Sequence, residues 1–135
     1  MVTGGCLCGA VRYEYDGPVG PATYCHCADC RRVTGSAFNV GVRFERARFR
    51  LLQGVPKTFT KVGGSGRTIE RSFCPSCGSP LYTAAPQSPA FVWVKAGSLD
   101  AGASIEPVDQ IWTESRVPWG TVTPDLPGHA RNRPA

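Results

Sequence analysis

The chain has 135 residues, enough for one domain with a buried core, and its 16 Gly and 12 Pro favour short strands and turns over long helices. A formal net charge of +5 is too small to indicate a nucleic-acid partner by itself. No apolar run approaches the roughly 18 residues needed to cross a membrane. We therefore expect neither a nucleic-acid nor a membrane partner.

The first predicted element is a strand that carries two cysteines. Residues 5–15 alternate between apolar and polar side chains, which predicts one half-buried strand with Leu7 and Val11 on the face opposite Cys6 and Cys8. The Asp-Gly-Pro sequence that follows ends this strand.

Seven more short strands are predicted, together with one short helical turn. The helical turn follows Cys25 and extends to about Arg32, and Thr34-Gly35-Ser36 ends it. The last predicted strand is apolar at nearly every position, which is typical of a central strand. The strands are predicted at residues 22–25, 37–44, 48–52, 57–62, 68–73, 80–83 and 90–96. The sequence thus predicts a mostly β protein of short strands.

The domain organisation and the location follow from the two ends of the chain. Residues 1–123 are expected to form one domain, and residues 124–135, with three Pro, two Arg and no periodicity, a flexible C-terminal tail. The N-terminus has no basic segment followed by an apolar one, so no signal peptide is expected. A cytoplasmic location follows, in which cysteines usually stay reduced.

Seven cysteines form three groups whose spacing indicates metal binding. We name them the first pair (Cys6 and Cys8), the trio (Cys25, Cys27 and Cys30) and the second pair (Cys74 and Cys77). In the second pair, Pro75 fixes a backbone angle and Gly78 permits a positive φ, as in the turns that bind zinc. An odd number of cysteines also excludes complete disulfide pairing. All seven are therefore candidate zinc ligands.

The division of the ligands between two sites has alternatives. The second pair could be completed to four thiolates by the first pair or by two members of the trio, and parsimony favours the first pair because the trio then stays a compact unit. Three thiolates leave a fourth zinc position for water or substrate, as in catalytic sites. The remaining alternatives are disulfides or inert thiols, and one zinc with redox cysteines.

Other residues near these groups have a functional and a structural interpretation. His26 could be a ligand, but its side chain is expected to point away from those of its cysteine neighbours. Arg31 and Arg32 could bind a substrate carboxylate or be solvated. The last candidates are Trp112, Arg116 and Trp119. They could line a substrate pocket, or the two tryptophans could pack in the core while the arginine forms an ion pair.

Ordered motifs over about residues 4–120 resemble one known family. They are Gly-Gly-Cys-Leu-Cys-Gly-Ala-Val-Arg-Tyr at 4–13, Cys-His-Cys-Ala-Asp-Cys-Arg-Arg at 25–32 with Thr-Gly-Ser-Ala-Phe at 34–38, Phe-Cys-Pro-Ser-Cys-Gly-Ser-Pro-Leu at 73–81, Gly-Ser-Leu-Asp at 97–100, and the stretch 111–119. The sequence resembles the glutathione-dependent formaldehyde-activating enzymes, a family that includes the centromere protein V relatives.

This resemblance implies a fold, two metal sites and a reaction. It implies a β-tent fold of short antiparallel sheets joined at a structural zinc held by the first and second pairs. It assigns the trio, with a catalytic role, to a second, labile zinc. It also implies carbon–sulfur lyase chemistry, in which a small thiol such as glutathione is joined reversibly to formaldehyde or a related aldehyde. We expect a monomer or weak homo-oligomer.

Two classes of function remain at this point. One is a zinc enzyme that acts on thiol–aldehyde adducts, and the other is a non-catalytic zinc-stabilised module that binds a protein or nucleic acid. The three-ligand site favours the enzyme, because a purely structural zinc would take a fourth side chain. A cysteine-based reductase is a third, weaker possibility.

Overall fold

The computed structural model describes residues 1–121 and 125–134, in which ten strands and one α-helix are assigned. The helix α1 spans Ala28–Thr34, and short 3₁₀ turns follow several strands. The strands are β1 (Val2–Gly5), β2 (Arg12–Tyr15), β3 (Ala22–Cys25), β4 (Asn39–Glu45), β5 (Phe49–Gln53), β6 (Lys57–Val62), β7 (Thr68–Phe73), β8 (Pro80–Ala84), β9 (Phe91–Lys95) and β10 (Pro107–Ile111). Among the described residues, no helix is both long and apolar enough to cross a membrane.

The strands form two sheets. One has three strands in the order β1-β2-β5, and the other has seven in the order β10-β3-β4-β9-β8-β7-β6. The apolar strand β9 lies at the centre of the larger sheet, as predicted. The seven strands predicted after residue 20 agree with the structure to within two residues at each end. The edge strand β10 was not predicted, and it pairs parallel to β3, whereas the other strand pairs are antiparallel.

The single strand predicted for residues 5–15 is wrong. The structure has a hairpin there, because β1 and β2 pair with each other and the chain turns between them. In this turn the backbone N–H of Cys6 donates to the carbonyl of Val11 (3.1 Å), and Leu7 is 89% exposed rather than buried. The first pair of cysteines therefore lies in a turn, while Val11 and the alternate residues of β2 are buried as predicted.

Aromatic side chains join the two sheets. Tyr15 of β2 stacks on Phe44 of β4, with ring centroids 3.9 Å apart and planes within 2° of parallel. Phe49 of β5 meets Tyr82 of β8 edge to face at 5.1 Å. Burial of such rings is the largest apolar contribution available to a small core. The core thus lies between the sheets and leaves the other face of the larger sheet free.

The alternation of side chains along each strand determines which residues point to that other face. In β9, Val92 and Val94 point into the core, so Trp93 and Lys95 point to the opposite face. Cys25, at the end of β3, lies on this same face. The free face of the larger sheet therefore presents the polar side chains of the chain's central strands.

The predicted domain boundary between residues 123 and 124 lies outside the described residues. Residues 125–134 are exposed and contain no assigned helix or strand. The flexible tail remains a prediction.

Candidate active site

The first and second pairs of cysteines form one group. Their four Sγ atoms lie within 4.8 Å of one another. The Sγ of Cys8 is 3.6 Å from that of Cys6 and 3.8 Å from that of Cys74. Cys74 is fully buried, whereas Cys8 is exposed. Residues 66 positions apart thus supply thiols to a single group that could hold a metal ion, between the two sheets.

Both halves of this group are built by tight turns. The Sγ of Cys74 accepts from the backbone N–H of Ser76 (3.4 Å) and of Cys77 (3.5 Å), and the chain leaves the turn through Gly78 at φ 77°. The positive φ expected for Gly78 is confirmed. On the other half, the backbone N–H of Val11 donates to the Sγ of Cys6 (3.2 Å). Such N–H groups stabilise thiolates and orient them toward a shared ion.

The pKa values of these thiols differ according to their hydrogen bonds. The Ser79 hydroxyl, 3.2 Å away, lowers the pKa of Cys77 to about 5. The Val11 N–H lowers the pKa of Cys6. The Ala10 N–H lowers the pKa of Cys8, but the neighbouring Cys6 thiol and burial outweigh it and raise the value to about 11. Part of the group is therefore ionised near neutral pH, and a metal ion would displace the remaining protons.

The trio forms a second group at the junction of β3 and α1. The Sγ atoms of Cys25, Cys27 and Cys30 lie within 4.8 Å of one another. Cys25 ends β3, Cys27 is the N-cap of α1, and Cys30 lies in the first turn. The Sγ of Cys27 accepts from the backbone N–H of Cys30 (3.2 Å), which is the usual contact of an N-cap. The short helix predicted after Cys25 is thus present, and its cap brings the three sulfurs together.

Two members of the trio share a proton unequally. The Cys30 thiol donates to the Cys25 sulfur and lowers the pKa of Cys25 to about 6. The same contact, together with burial, raises the pKa of Cys30 far above its usual range. At neutral pH the trio therefore has one readily formed thiolate, which is the species that binds metals and attacks carbon.

His26 is not a member of the trio. Among residues 1–121 and 125–134, no His, Cys, Asp or Glu joins the three sulfurs as a fourth potential ligand. The His26 ring is 4% exposed, its Nε2 lies 2.9 Å from Oε1 of Gln110, and it packs on Phe38. His26 therefore attaches the loop that carries the trio to β10. Of these residue types, the described part of the chain offers three potential metal ligands here, the cysteines of the trio.

Arg31 has a structural contact that neither sequence-based interpretation included. Its Nη1 donates to the backbone carbonyls of His26 (3.0 Å) and Ser115 (2.6 Å), which joins α1 to the segment after β10. Arg32 is exposed, as its solvated interpretation predicted. Arg31 is therefore a residue that positions the trio.

The trio faces a cavity of about 640 Å³ on the free face of the larger sheet. Strands β3, β4, β7, β9 and β10 contribute to its walls, as does the turn between β6 and β7. Its polar and charged lining includes Asp29, Asn39, Lys61, Arg67, Arg71, Lys95 and Asp109. A volume of about 640 Å³ lies in the range typical of small-molecule sites.

Trp112 lines the cavity, as one of its two interpretations proposed, and the expectation that it packs in the core is wrong. It has φ 56°, the one positive φ of a non-glycine residue among those described. A Cβ on Gly64 would lie 3.2 Å from its ring, so glycine allows this close approach. Trp119 is 68% exposed and not in the core either, and Arg116 donates to the Gln110 side chain (3.2 Å). The Trp112 ring thus reaches from β10 to the β6–β7 turn.

Sequence reasoning missed the cavity residues of the central strands. Asn39 is opposite Cys25 in the β3–β4 register, and Lys95 is opposite Gly41 in the β4–β9 register. The one available sequence signal was a lysine at residue 95 in an otherwise apolar strand, since such a residue is rarely buried without a reason.

Comparisons with known proteins agree with this geometry. The family model described as "Glutathione-dependent formaldehyde-activating enzyme" matches residues 1–115. A protein of Halomonas elongata named "Putative glutathione-dependent formaldehyde-activating enzyme" is 29% identical over 105 residues, which are 75% of this chain and 67% of that protein. A crystal structure of a Rhodobacter sphaeroides protein superposes with a TM-score of 0.60 over 80% of this chain and 98% of that one, at 23% identity. The mostly β fold expected from the sequence is thereby confirmed, and the chain belongs to the family of glutathione-dependent formaldehyde-activating enzymes.

Proposed function

We propose that this protein is a zinc-dependent carbon–sulfur lyase that joins a small thiol, such as glutathione, to formaldehyde or a related aldehyde and catalyses the reverse reaction. The observation that carries the proposal is the trio, which lies in a cavity of about 640 Å³ with no fourth His, Cys, Asp or Glu beside it in the described parts of the chain. Three protein ligands and one vacant position are the usual composition of a catalytic zinc site.

Thiolates are suitable zinc donors at both groups, and in the group of four their spacing fits zinc as well. Two thiolates bound tetrahedrally at about 2.3 Å have sulfurs about 3.8 Å apart, and the sulfurs of Cys8 and Cys74 are 3.8 Å apart. We assign the first and second pairs to a closed structural site, and the trio to an open catalytic site. Zinc bound by the trio would keep a substrate thiol ionised at neutral pH or polarise a carbonyl oxygen.

The residues of the chain would bind and orient the two substrates. The cavity beside the trio has a volume of about 640 Å³, enough for both substrates. Backbone contacts of Arg31 and the N-cap of α1 hold the trio in place. The cavity has basic groups at Lys61, Arg67 and Arg71, which suit a thiol that carries carboxylates, as glutathione does.

The names of the relatives support the choice of substrates. Both the matching family model and the Halomonas elongata protein are named for glutathione and formaldehyde. We propose a cytoplasmic location for the same reaction, because the seven cysteines form no disulfides and a reducing compartment keeps thiols available.

A turnover screen tests this proposal. Purified protein loaded with zinc is mixed with formaldehyde and either glutathione or a neutral thiol such as 2-mercaptoethanol, and adduct formation is followed by NMR exchange spectroscopy. We expect glutathione to exchange fastest, and Cys27→Ser to reduce the rate to the uncatalysed one. If wild-type protein holds zinc at both sites and accelerates the formation of no adduct, the lyase proposal is refuted and a zinc-stabilised binding module is favoured.

A further inference from the structure

One buried cation in the cavity has no acidic partner. Lys95 ends β9 and is 8% exposed, and its Nζ donates to the Oδ1 of Asn39 at 2.7 Å. Among the described residues, no carboxylate lies within 4.0 Å of this ammonium group. A buried charge that is not paired with a carboxylate costs free energy. The presence of a buried lysine at this position therefore requires an explanation other than the stability of the fold.

Other cations that line the cavity are less isolated from acidic groups. Lys61 forms an ion pair with Asp29 at 2.6 Å, and Arg71 lies 4.0 Å from the same carboxylate. Arg67 is exposed and donates to Ser88. Lys95 thus differs from its neighbours by being both buried and without a carboxylate.

The register of the sheet brings Lys95 toward the trio. Cys25 is opposite Asn39 across β3 and β4, and Gly41, two residues further along β4, is opposite Lys95. All four residues line the cavity. A Cβ on Gly41 would lie 3.3 Å from Nδ2 of Asn39, so glycine at this position leaves room for the amide that accepts from Lys95. Burial lowers the pKa of Lys95, while the thiols of Cys30 and Cys25 act in the opposite direction, which indicates that the lysine is within electrostatic range of the trio.

We propose that Lys95 is a catalytic residue whose ammonium group binds the aldehyde oxygen of the substrate and stabilises the negative charge that develops on it. This inference depends on the lyase activity proposed above. In the forward reaction a sulfur lone pair forms the carbon–sulfur bond, and the π pair of the carbonyl moves to oxygen. That oxygen then takes up the proton that the thiol released, so thiol and aldehyde together give the neutral adduct. The reaction takes no proton from Lys95, whose ammonium group donates a hydrogen bond that is strongest when the oxygen is charged.

Asn39 is a positioning residue in this arrangement. Its Oδ1 accepts one of the three protons of the ammonium group, which fixes the direction of the other two. A donor held in place before the reaction starts requires no reorganisation when charge develops on the oxygen.

A purely structural role for Lys95 makes the opposite prediction about stability. If Lys95 served only to hold Asn39, then Lys95→Met would leave an amide oxygen without its partner and lower the melting temperature. If Lys95 is a functional cation kept at a cost, the same substitution also removes a buried charge and replaces it with an apolar side chain of similar length, which offsets the loss of the hydrogen bond to Asn39. The melting temperature of Lys95→Met would then be unchanged or higher.

The experiment compares the zinc-loaded full chain with Lys95→Met, Lys95→Arg and the control Lys57→Met, since Lys57 is exposed on β6. Adduct exchange gives kcat and the KM of the thiol, and zinc content and melting temperature are measured on the same samples. For Lys95→Met we expect kcat to fall by about 10²–10³-fold, the typical effect of removing one donor to a developing oxyanion. We expect two zincs per chain, a KM of the thiol within about threefold of wild type, and no loss of melting temperature. Lys95→Arg should recover part of kcat because it restores the charge.

Three results would overturn the inference. A kcat of Lys95→Met within about threefold of wild type refutes a role in catalysis and leaves the lyase proposal standing. A fall in kcat that is accompanied by a lower melting temperature or by loss of zinc assigns Lys95 a structural role. A wild-type protein that is zinc-loaded and inactive on every adduct refutes the lyase proposal and this inference together.

Discussion

The two cysteine groups predict opposite outcomes for the same chemical change. In Cys74→Ser, a fully buried sulfur that lies 3.8 Å from Cys8 and accepts two backbone N–H groups is replaced by a weaker zinc ligand. Structural zinc in small domains contributes about 10–16 kcal/mol of binding free energy, so an equal share for one of four thiolates is about 2.5–4 kcal/mol. Whole domains have a free energy of unfolding of only about 5–15 kcal/mol. For a chain of this length, we expect the melting temperature to fall by about 10–15 °C.

The matched variant Cys27→Ser is expected to leave the fold intact. Cys27 is the N-cap of α1 and accepts the N–H of Cys30 through its sulfur, and serine is a preferred residue at that position. Its melting temperature should therefore stay within about 2 °C of wild type, while adduct turnover falls to the uncatalysed rate. Thermal unfolding followed by circular dichroism, with zinc content measured on both variants, makes the comparison. An equal loss of melting temperature in the two variants would contradict the division into structural and catalytic sites.

Three further predictions concern metal removal, loop positioning and pH. A weak chelator should remove one zinc per chain, the one bound by the trio, and leave the melting temperature unchanged. Zinc content before and after dialysis measures the loss, and unfolding that accompanies it would contradict an open site at the trio. Arg31→Met loses hydrogen bonds to two backbone carbonyls and should lower the free energy of unfolding in urea by about 1–3 kcal/mol, with Arg32→Met, which changes an exposed side chain, as the control. Hydrogen bonding to Arg12 lowers the pKa of Asp100 to about 2, so this carboxylate stabilises the fold above its unfolded pKa near 4, and the stabilisation is lost as the pH falls toward 2. Asp100→Asn should flatten the plot of melting temperature against pH between about pH 4 and pH 2, and an unchanged plot would refute the stabilising role of the Arg12–Asp100 ion pair.

Local sequence patterns predicted much of this fold. The strands β6 and β7 were predicted to the residue because a Gly-rich turn and the flanking β-formers are a local signal. The prediction of one strand at residues 5–15 failed because alternation alone cannot separate a continuous strand from a hairpin whose turn has the same periodicity. Strand β10 escaped prediction because its residues are exposed and its parallel partner, β3, is some 80 residues away in the sequence.

The sequence predicted which cysteines lie close together, but it did not predict the residues that form the walls of the cavity. Cysteine spacing is a short-range property, and the pairing favoured by parsimony, the first pair with the second, is the one that the structure brings together. Asn39 and Lys95 depend on the registers between three strands, which no local pattern encodes. The contacts of Arg31 with Ser115 likewise join segments 84 residues apart.

The parallel strand β10 has a consequence for the order in which a growing polypeptide matures. All four thiols between the sheets belong to residues 6–77, so the residues that could hold an ion there are synthesised before β8, β9 and β10. The outer edge of β3 stays unpaired until residues 107–111 emerge, and Ser115 reaches Arg31 only after that. In a nascent chain the four thiols can therefore come together before β10 completes the wall of the cavity beside the trio.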